Sequence, residues 1–166
     1  MRIETDRLIL RPLALDDQEE LAAVLCDAET MRWYLQPLTG AQVLEWINRQ
    51  MDRYASDSGL LGMVEKQTGN LIGDCGVVWQ EVEGNNELEV GYHVNRLRWN
   101  QGFATEAART VINDAFDRLG VDHIVSMIRP ENAPSRRVAE KNGLTVDRVV
   151  FWRNYDHCVY QLRAKV

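Results

Sequence analysis

Residues 87–119 read ELEVGYHVNRLRWNQGFATEAARTVINDAFDRL. The first eight alternate. Leu88, Val90, Tyr92 and Val94 share one face, and Glu87, Glu89, Gly91 and His93 share the other, a period of two that predicts a strand over 87–95. At Gly102 the period changes. Phe103, Ala104, Ala107, Ala108, Val111, Ile112, Ala115, Phe116 and Leu119 recur at helical spacing and predict an amphipathic helix over 102–119, closed by Gly120. RWNQGFATEA at 98–107 joins the two. A helix N-terminus leaves amides unpaired and carries partial positive charge, so it binds phosphate without basic side chains. One glycine, small Ala104 and the Thr105 hydroxyl suit such a cradle, and they equally suit a plain helix start. The GxGxxG fingerprint of dinucleotide folds and the GK[ST] of a P-loop are both missing.

Before this stretch, residues 6–12 alternate as a strand ended by Pro12. Asp16 or Asp17 suits the start of a helix over 16–28, and Thr39 suits the cap of a second over 40–55. Strands follow at 59–66 and 71–82, with turns at 68–70 and 83–86 rich in residues that tolerate positive φ. After the long helix come a strand at 122–129, a short helix in ENAPSRRVAEKNG ending at Gly143, and two alternating segments at 144–152 and 157–164. There is no internal repeat and no linker, so 1–166 reads as one domain. The element order predicts an α+β fold, a central sheet with helices on both faces.

Composition narrows the function classes. Net charge is −6 with both signs spread along the chain, so no basic block points to direct nucleic-acid binding. Cys26, Cys75 and Cys158 are odd in number and lack CxxC spacing, and His93, His123 and His157 form no HExxH pattern. No metal site is expected, and the reduced cysteines suit a cytoplasmic protein. The start is charged from Arg2, unlike a signal peptide, and no apolar run approaches the ~18 residues of a membrane span.

Six stretches in order resemble one family across nearly the whole chain: ETDRLILRPL at 4–13, LIGDCGV at 71–77, ELEVGYHV at 87–94, WNQGFATEA at 99–107, NAPSRRVAEKNGL at 132–144 and DHCVYQL at 156–162. They resemble the GNAT superfamily of acyl-CoA-dependent N-acyltransferases, in its Rim-type branch of ribosomal-protein N-terminal acetyltransferases. The resemblance implies a mixed, mostly antiparallel sheet, with acetyl-CoA as co-substrate. The loop Trp99, Asn100, Gln101, Gly102, Phe103, Ala104 and Thr105 would wrap the CoA pyrophosphate with backbone amides. Main-chain groups of Tyr92, His93 and Val94 would line the pantetheine arm, with Asn132 on its other side. Two residues depart from the family pattern: Asn100 stands where a glycine is usual, and Gln101 where a basic residue is frequent.

Amine acylation by a thioester needs a base for the ammonium, a donor for the oxyanion and a proton for the leaving sulfur. On the resemblance, Glu89 would be the base, its alternative being a solvated charge in the acidic run 81–89. His93 shares the Glu89 face but lies roughly 13 Å along the strand at ~3.3 Å per residue, which makes it a neighbour of CoA. The tyrosine that many family members use as acid is replaced by Ala139, and Ser135 is the hydroxyl in reach, either as proton donor or as a cap of the short helix. Cys75 has no visible base and reads as a packing residue. Arg136 and Arg137 would touch the CoA 3′-phosphate or simply face solvent. Trp33, Tyr34, Trp46, Phe151, Trp152 and Tyr155 would line a groove for an amine-bearing acceptor, a peptide N-terminus or a small molecule, and the acidic run would steer a cation. Homodimers are frequent in that family. A non-catalytic acyl-CoA-binding or protein-interaction module on the same fold is the competing reading.

Overall fold

In the computed structural model, which describes residues 1–165, eight strands form a single sheet in the order β1-β2-β3-β4-β5-β6-β8-β7. The strands are β1 (Ile3–Glu4), β2 (Leu8–Arg11), β3 (Gly59–Glu65), β4 (Leu71–Val82), β5 (Asn85–Val94), β6 (His123–Ile128), β7 (Thr145–Trp152) and β8 (Tyr155–Arg163). All neighbours are antiparallel except β5 and β6, which are parallel. This is the expected mixed, mostly antiparallel sheet, with one more strand than the alternation predicts. The strand expected at 6–12 is β2, trimmed to four residues, and the added strand is β1, which pairs with it as a short hairpin with Thr5 N–H bonded to the Leu8 carbonyl.

Helices cover both faces. Helix α3 (Phe103–Leu119) and helix α4 (Ala133–Lys141) lie on the face that carries Leu88, Val90, Ile124 and Ile128, and their apolar stripes close the main core there. Helices α1 (Gln18–Leu25) and α2 (Gly40–Tyr54) bury Leu21, Val24, Val43 and Ile47 against Leu13 and Leu71 on the other face. Thr39 caps α2 as expected: its Oγ1 accepts from Gln42 N–H, while Gln42 Oε1 accepts from Thr39 N–H. Helix α1 is shorter than expected and begins after a 3-10 turn at Leu15–Asp17. The Asp17 carboxylate does not cap it; Arg11 and the Ala14 N–H hold both its oxygens. The β4–β5 turn is tighter than its four-residue expectation. Glu83 and Gly84 alone turn the chain, both at positive φ, as a two-residue hairpin requires.

Two features position the site. β4 and β5 are paired along their length, so Asp74 and His93 stand side by side with their side chains on the α1–α2 face. β5 and β6, by contrast, register only at Glu89 and Val125. Beyond that point side chains bridge the gap. Ser126 Oγ donates to the Val90 carbonyl at 3.1 Å, and Tyr92 Oη donates to the Ser135 carbonyl at 2.9 Å. The parallel pair thus opens toward the C-terminal ends of both strands.

Candidate active site

The opening between β5 and the start of α4 is a cleft of about 410 Å³. Tyr92, His93, Val94, Trp99, Asn100, Gly102, Phe103, Ala104, Thr105, Asn132 and Ser135 all line it, so eleven of the thirteen residues picked from sequence meet in one place. Gln101 and Glu89 are not among them.

The loop explains the Gln101 exception. Asn95 Oδ1 accepts from Leu97 N–H and starts a tight turn, and Trp99 Nε1 donates to the Val94 carbonyl at 2.7 Å. Asn100 (φ 59°) and Gly102 (φ 83°) then adopt left-handed backbone on either side of Gln101. Asn therefore supplies the conformation for which the family pattern uses glycine. The Gln101 carbonyl turns outward to Arg7 Nη1 at 2.8 Å, and its side chain folds back onto the Leu97 carbonyl. Because a trans peptide sets its C=O and N–H in opposite directions, the Gly102 N–H turns toward the cleft. The first helical bond of α3 runs from Glu106 N–H to the Gly102 carbonyl, which leaves the amides of Phe103, Ala104 and Thr105 outside the helical ladder.

Along β5 the backbone alternates too. Asn95 N–H donates to the Ile72 carbonyl in β4, and the His93 carbonyl lies against Gly73. By the same period the main-chain groups of Tyr92 and Val94 face the opening, and those of His93 do not. The expected backbone contribution from His93 is thus corrected: it faces the cleft with its side chain. His93 Nδ1 lies 2.7 Å from Asp74 Oδ1, the tilted Tyr34 ring is 5.1 Å away between centroids, and Trp46 meets the imidazole edge-on at 5.7 Å.

Glu89 sits at the closed end, where β5 and β6 meet. Burial pushes its carboxyl up, against hydrogen bonds from Gln80 Nε2 at 3.0 Å and Met127 N–H at 3.3 Å that favour the charged form. At the start of α4, Asn132 Oδ1 accepts from Ser135 N–H at 3.2 Å and is the cap; the Ser135 hydroxyl is not needed for that task. Cys75 is fully buried and burial raises its thiol pKa, which suits packing and not nucleophilic attack.

Other expectations divide. Arg137 lines the cleft, whereas Arg136 is turned to Tyr160 Oη and the Pro130 carbonyl. Of the six aromatics only Trp33 and Tyr34 line the cleft. Trp46 donates to Asp74, Trp152 Nε1 donates to the Glu81 carbonyl, Tyr155 stacks under Arg129, and Phe151 is 75% exposed. The acidic run is no open steering surface, because Arg148 engages Glu83 and His123 engages Glu87. Arg98, paired with Glu65, and Lys141 join Arg137 as cations of the cleft with no role expected from sequence, and Arg7 acts on the loop from 94 residues away.

Comparison with known proteins bears on the family and the fold. An acetyltransferase (GNAT) domain description matches residues 7–145. The uncharacterized protein YkkB of Bacillus subtilis (strain 168) is 32% identical over 165 residues, covering 98% of this chain and 96% of its own. The crystal structure of an acetyltransferase from Agrobacterium tumefaciens str. C58 superposes with a TM-score of 0.85 at 25% identity, covering 99% of this chain and 95% of its own. RimL, a ribosomal L7/L12 α-N-protein acetyltransferase solved in complex with coenzyme A, shares the fold at a TM-score of 0.80 and 15% identity, covering 98% of each chain.

Proposed function

The chain belongs to the GNAT acetyltransferase family, and from that premise we propose that it moves an acetyl group from acetyl-CoA directly onto a primary amine within a ternary complex. The observation that carries this reading is the continuity of the cleft. One end holds the amides of Gly102 to Thr105, the middle holds the open edge of β5 at Tyr92 and Val94, and Asn132 and Ser135 stand opposite. That sequence of groups fits a pyrophosphate followed by a chain of amides. When bound, acetyl-CoA supplies the activated thioester; the rest falls to the protein.

The helix N-terminus and the cations of Arg137 and Lys141 favour the anionic end of the co-substrate, Arg98 being paired with Glu65. The Ser135 hydroxyl, free of capping duty, donates a proton to the departing sulfur. Glu89 takes a proton from the incoming ammonium, through water because it lies outside the cleft lining. Its raised pKa brings it nearer the working pH and so improves it as a base. No disulfide, metal or covalent enzyme intermediate enters this scheme. The acceptor approaches past Trp33 and Tyr34, whose rings suit an amine on a peptide N-terminus or on a small molecule.

The test is CoA release, followed with a thiol reagent, from acetyl-CoA and a panel of primary amines that includes Ala- and Ser-initiated peptides, polyamines and amino acids. Turnover of at least one class is expected, with Glu89→Gln lowering kcat by about 10²-fold or more. Acetyl-CoA binding with no acceptor acetylated would instead favour a non-catalytic acyl-CoA-binding module.

A further inference from the structure

The imidazole of His93 is 8% exposed, and Asp74 beside it is fully buried. Each oxygen of Asp74 has one partner: Oδ1 faces His93 Nδ1 at 2.7 Å, and Oδ2 accepts from Trp46 Nε1 at 2.9 Å. An ionised Asp74 can only accept, so the ring proton belongs on Nδ1 and Nε2 is left as a lone-pair acceptor. That Nε2 is buried without a partner. A buried acceptor left unpaired costs ~1–3 kcal/mol, and such groups in native proteins call for an explanation. His93 lines the cleft, and the ring nearest to it is Tyr34, on the irregular segment between α1 and α2. The arrangement is that of an imidazole held in one tautomer by a buried carboxylate, with its second nitrogen kept for a substrate proton.

We propose that His93, oriented by Asp74, is a second proton acceptor for the acceptor amine in the transfer assigned above. The count of protons asks for one. Starting from an ammonium, the nitrogen lone pair forms the bond to the acetyl carbon, the carbon–sulfur bond breaks, and its pair leaves with sulfur. Nitrogen loses two protons on the way to an amide N–H, and sulfur gains one. Glu89 takes the first through water and Ser135 supplies the one on sulfur. His93 Nε2 takes the second, from the nitrogen after attack. The hydroxyl of Ser135 is then restored from solvent, and one proton is released in sum. The anion of Asp74 stabilises the imidazolium while it lasts. Asp74 itself is a positioning residue, and the inference rests on the acetyltransferase reading.

Two variants and one spectrum test it. His93→Gln is expected to lower kcat by about 10²-fold or more while the KM for acetyl-CoA stays within about threefold. In Asp74→Asn, Trp46 Nε1 still demands an oxygen, so the new amide N–H faces His93 Nδ1 and drives the ring proton to Nε2. A kcat loss of the same order is expected there, with the fold intact. Nitrogen NMR of the wild-type protein at neutral pH is expected to show His93 Nε2 unprotonated, and that of Asp74→Asn to show it protonated. A His93→Gln enzyme within about threefold of wild-type kcat, or a proton on Nε2 in the wild type, overturns the proposal. If the wild type acetylates no amine, the acetyltransferase reading fails and this inference with it, whereas wild-type turnover beside an unimpaired His93→Gln enzyme overturns this inference alone.

Discussion

Arg7 Nη1 donates to the Gln101 carbonyl at 2.8 Å, so a residue beside β2 sets the direction of a peptide in the loop before α3. The same guanidinium is ion-paired with Glu106 at 2.7 Å and lies 4.2 Å above the Phe103 ring. It thus binds the loop, the first turn of α3 and the first aromatic of that helix together. Its position also answers the missing basic residue at Gln101: the cation comes from the bend before β2 and acts on the backbone from behind.

Removing that clamp frees the Gln101–Gly102 peptide to rotate, and with it the Gly102 N–H. Arg7→Ala is expected to weaken CoA binding by about tenfold, equivalent to ~1.4 kcal/mol. Arg7→Lys keeps a charge but loses the planar fork, and is expected to fall between. Calorimetric titration with CoA measures both. Equal affinities for wild type and Arg7→Ala would show that the loop holds its shape alone.

The two left-handed residues of the loop make opposite demands. Gly102 at φ 83° has Arg7 Nη2 3.4 Å from where a Cβ would sit, so Gly102→Ala meets both backbone strain of ~1–2 kcal/mol and a close side chain. It is expected to lower the melting temperature and CoA affinity together. Asn100 already tolerates φ 59°, and Asn100→Gly should leave stability unchanged within ~0.5 kcal/mol. A Gly102→Ala protein that melts and binds CoA like wild type would contradict the strain argument.

The fold was legible because its periods are clean. The stripe of α3 and the alternation of β5 both predict the face that each side chain takes, and Thr39 and Gly120 mark helix ends by capping chemistry that depends only on neighbours. The loop at 99–105 was legible as a resemblance, since one glycine carries little by itself. What stayed hidden is what depends on contacts distant in sequence. Strand β1 escapes the pattern because two residues, Ile3 and Glu4, are too few to show an alternation. Arg7, Arg98 and Lys141 lie inside the quoted stretches, but nothing local to them shows which way each cation turns. The acidic run looked like a steering surface because the pairing of Glu87 with His123 and of Glu83 with Arg148 spans 36 and 65 residues. The Asp74–His93 pair stays hidden for the same reason: the two are neighbours only across the β4–β5 ladder.

His123 gives a pH signature of stability. It contacts Glu87 Oε2 at 2.6 Å and Asp122 Oδ1 at 2.5 Å. Burial pulls its pKa down, but the two carboxylates outweigh it and the net shift is upward. A histidine raised in the folded state adds stability that is fully present below its unfolded value, ~6.5, and lost as pH rises through the folded value. Denaturant unfolding of wild type and His123→Gln should therefore differ most below pH ~6.5 and converge on the alkaline side. A difference that grows as pH rises would reverse the assignment.

Asn132 and Ser135 are adjacent in space yet separable in effect. Asn132 Oδ1 satisfies the Ser135 amide, one of the orphan donors of α4, so Asn132→Ala is expected to cost ~1 kcal/mol of stability. It also removes a side chain from the cleft lining and should raise the KM for acetyl-CoA. Ser135→Ala leaves that cap in place, because the amide and not the hydroxyl is bonded to Asn132. Its melting temperature should match the wild type, while kcat falls by about 10²-fold if the hydroxyl supplies the proton to sulfur. Acyl donors with better leaving groups separate the two further: one whose thiol leaves without protonation should restore Ser135→Ala and leave Asn132→Ala impaired. A Ser135→Ala enzyme of full activity on acetyl-CoA would remove the hydroxyl from the mechanism and return that residue to the role of a first-turn helix position.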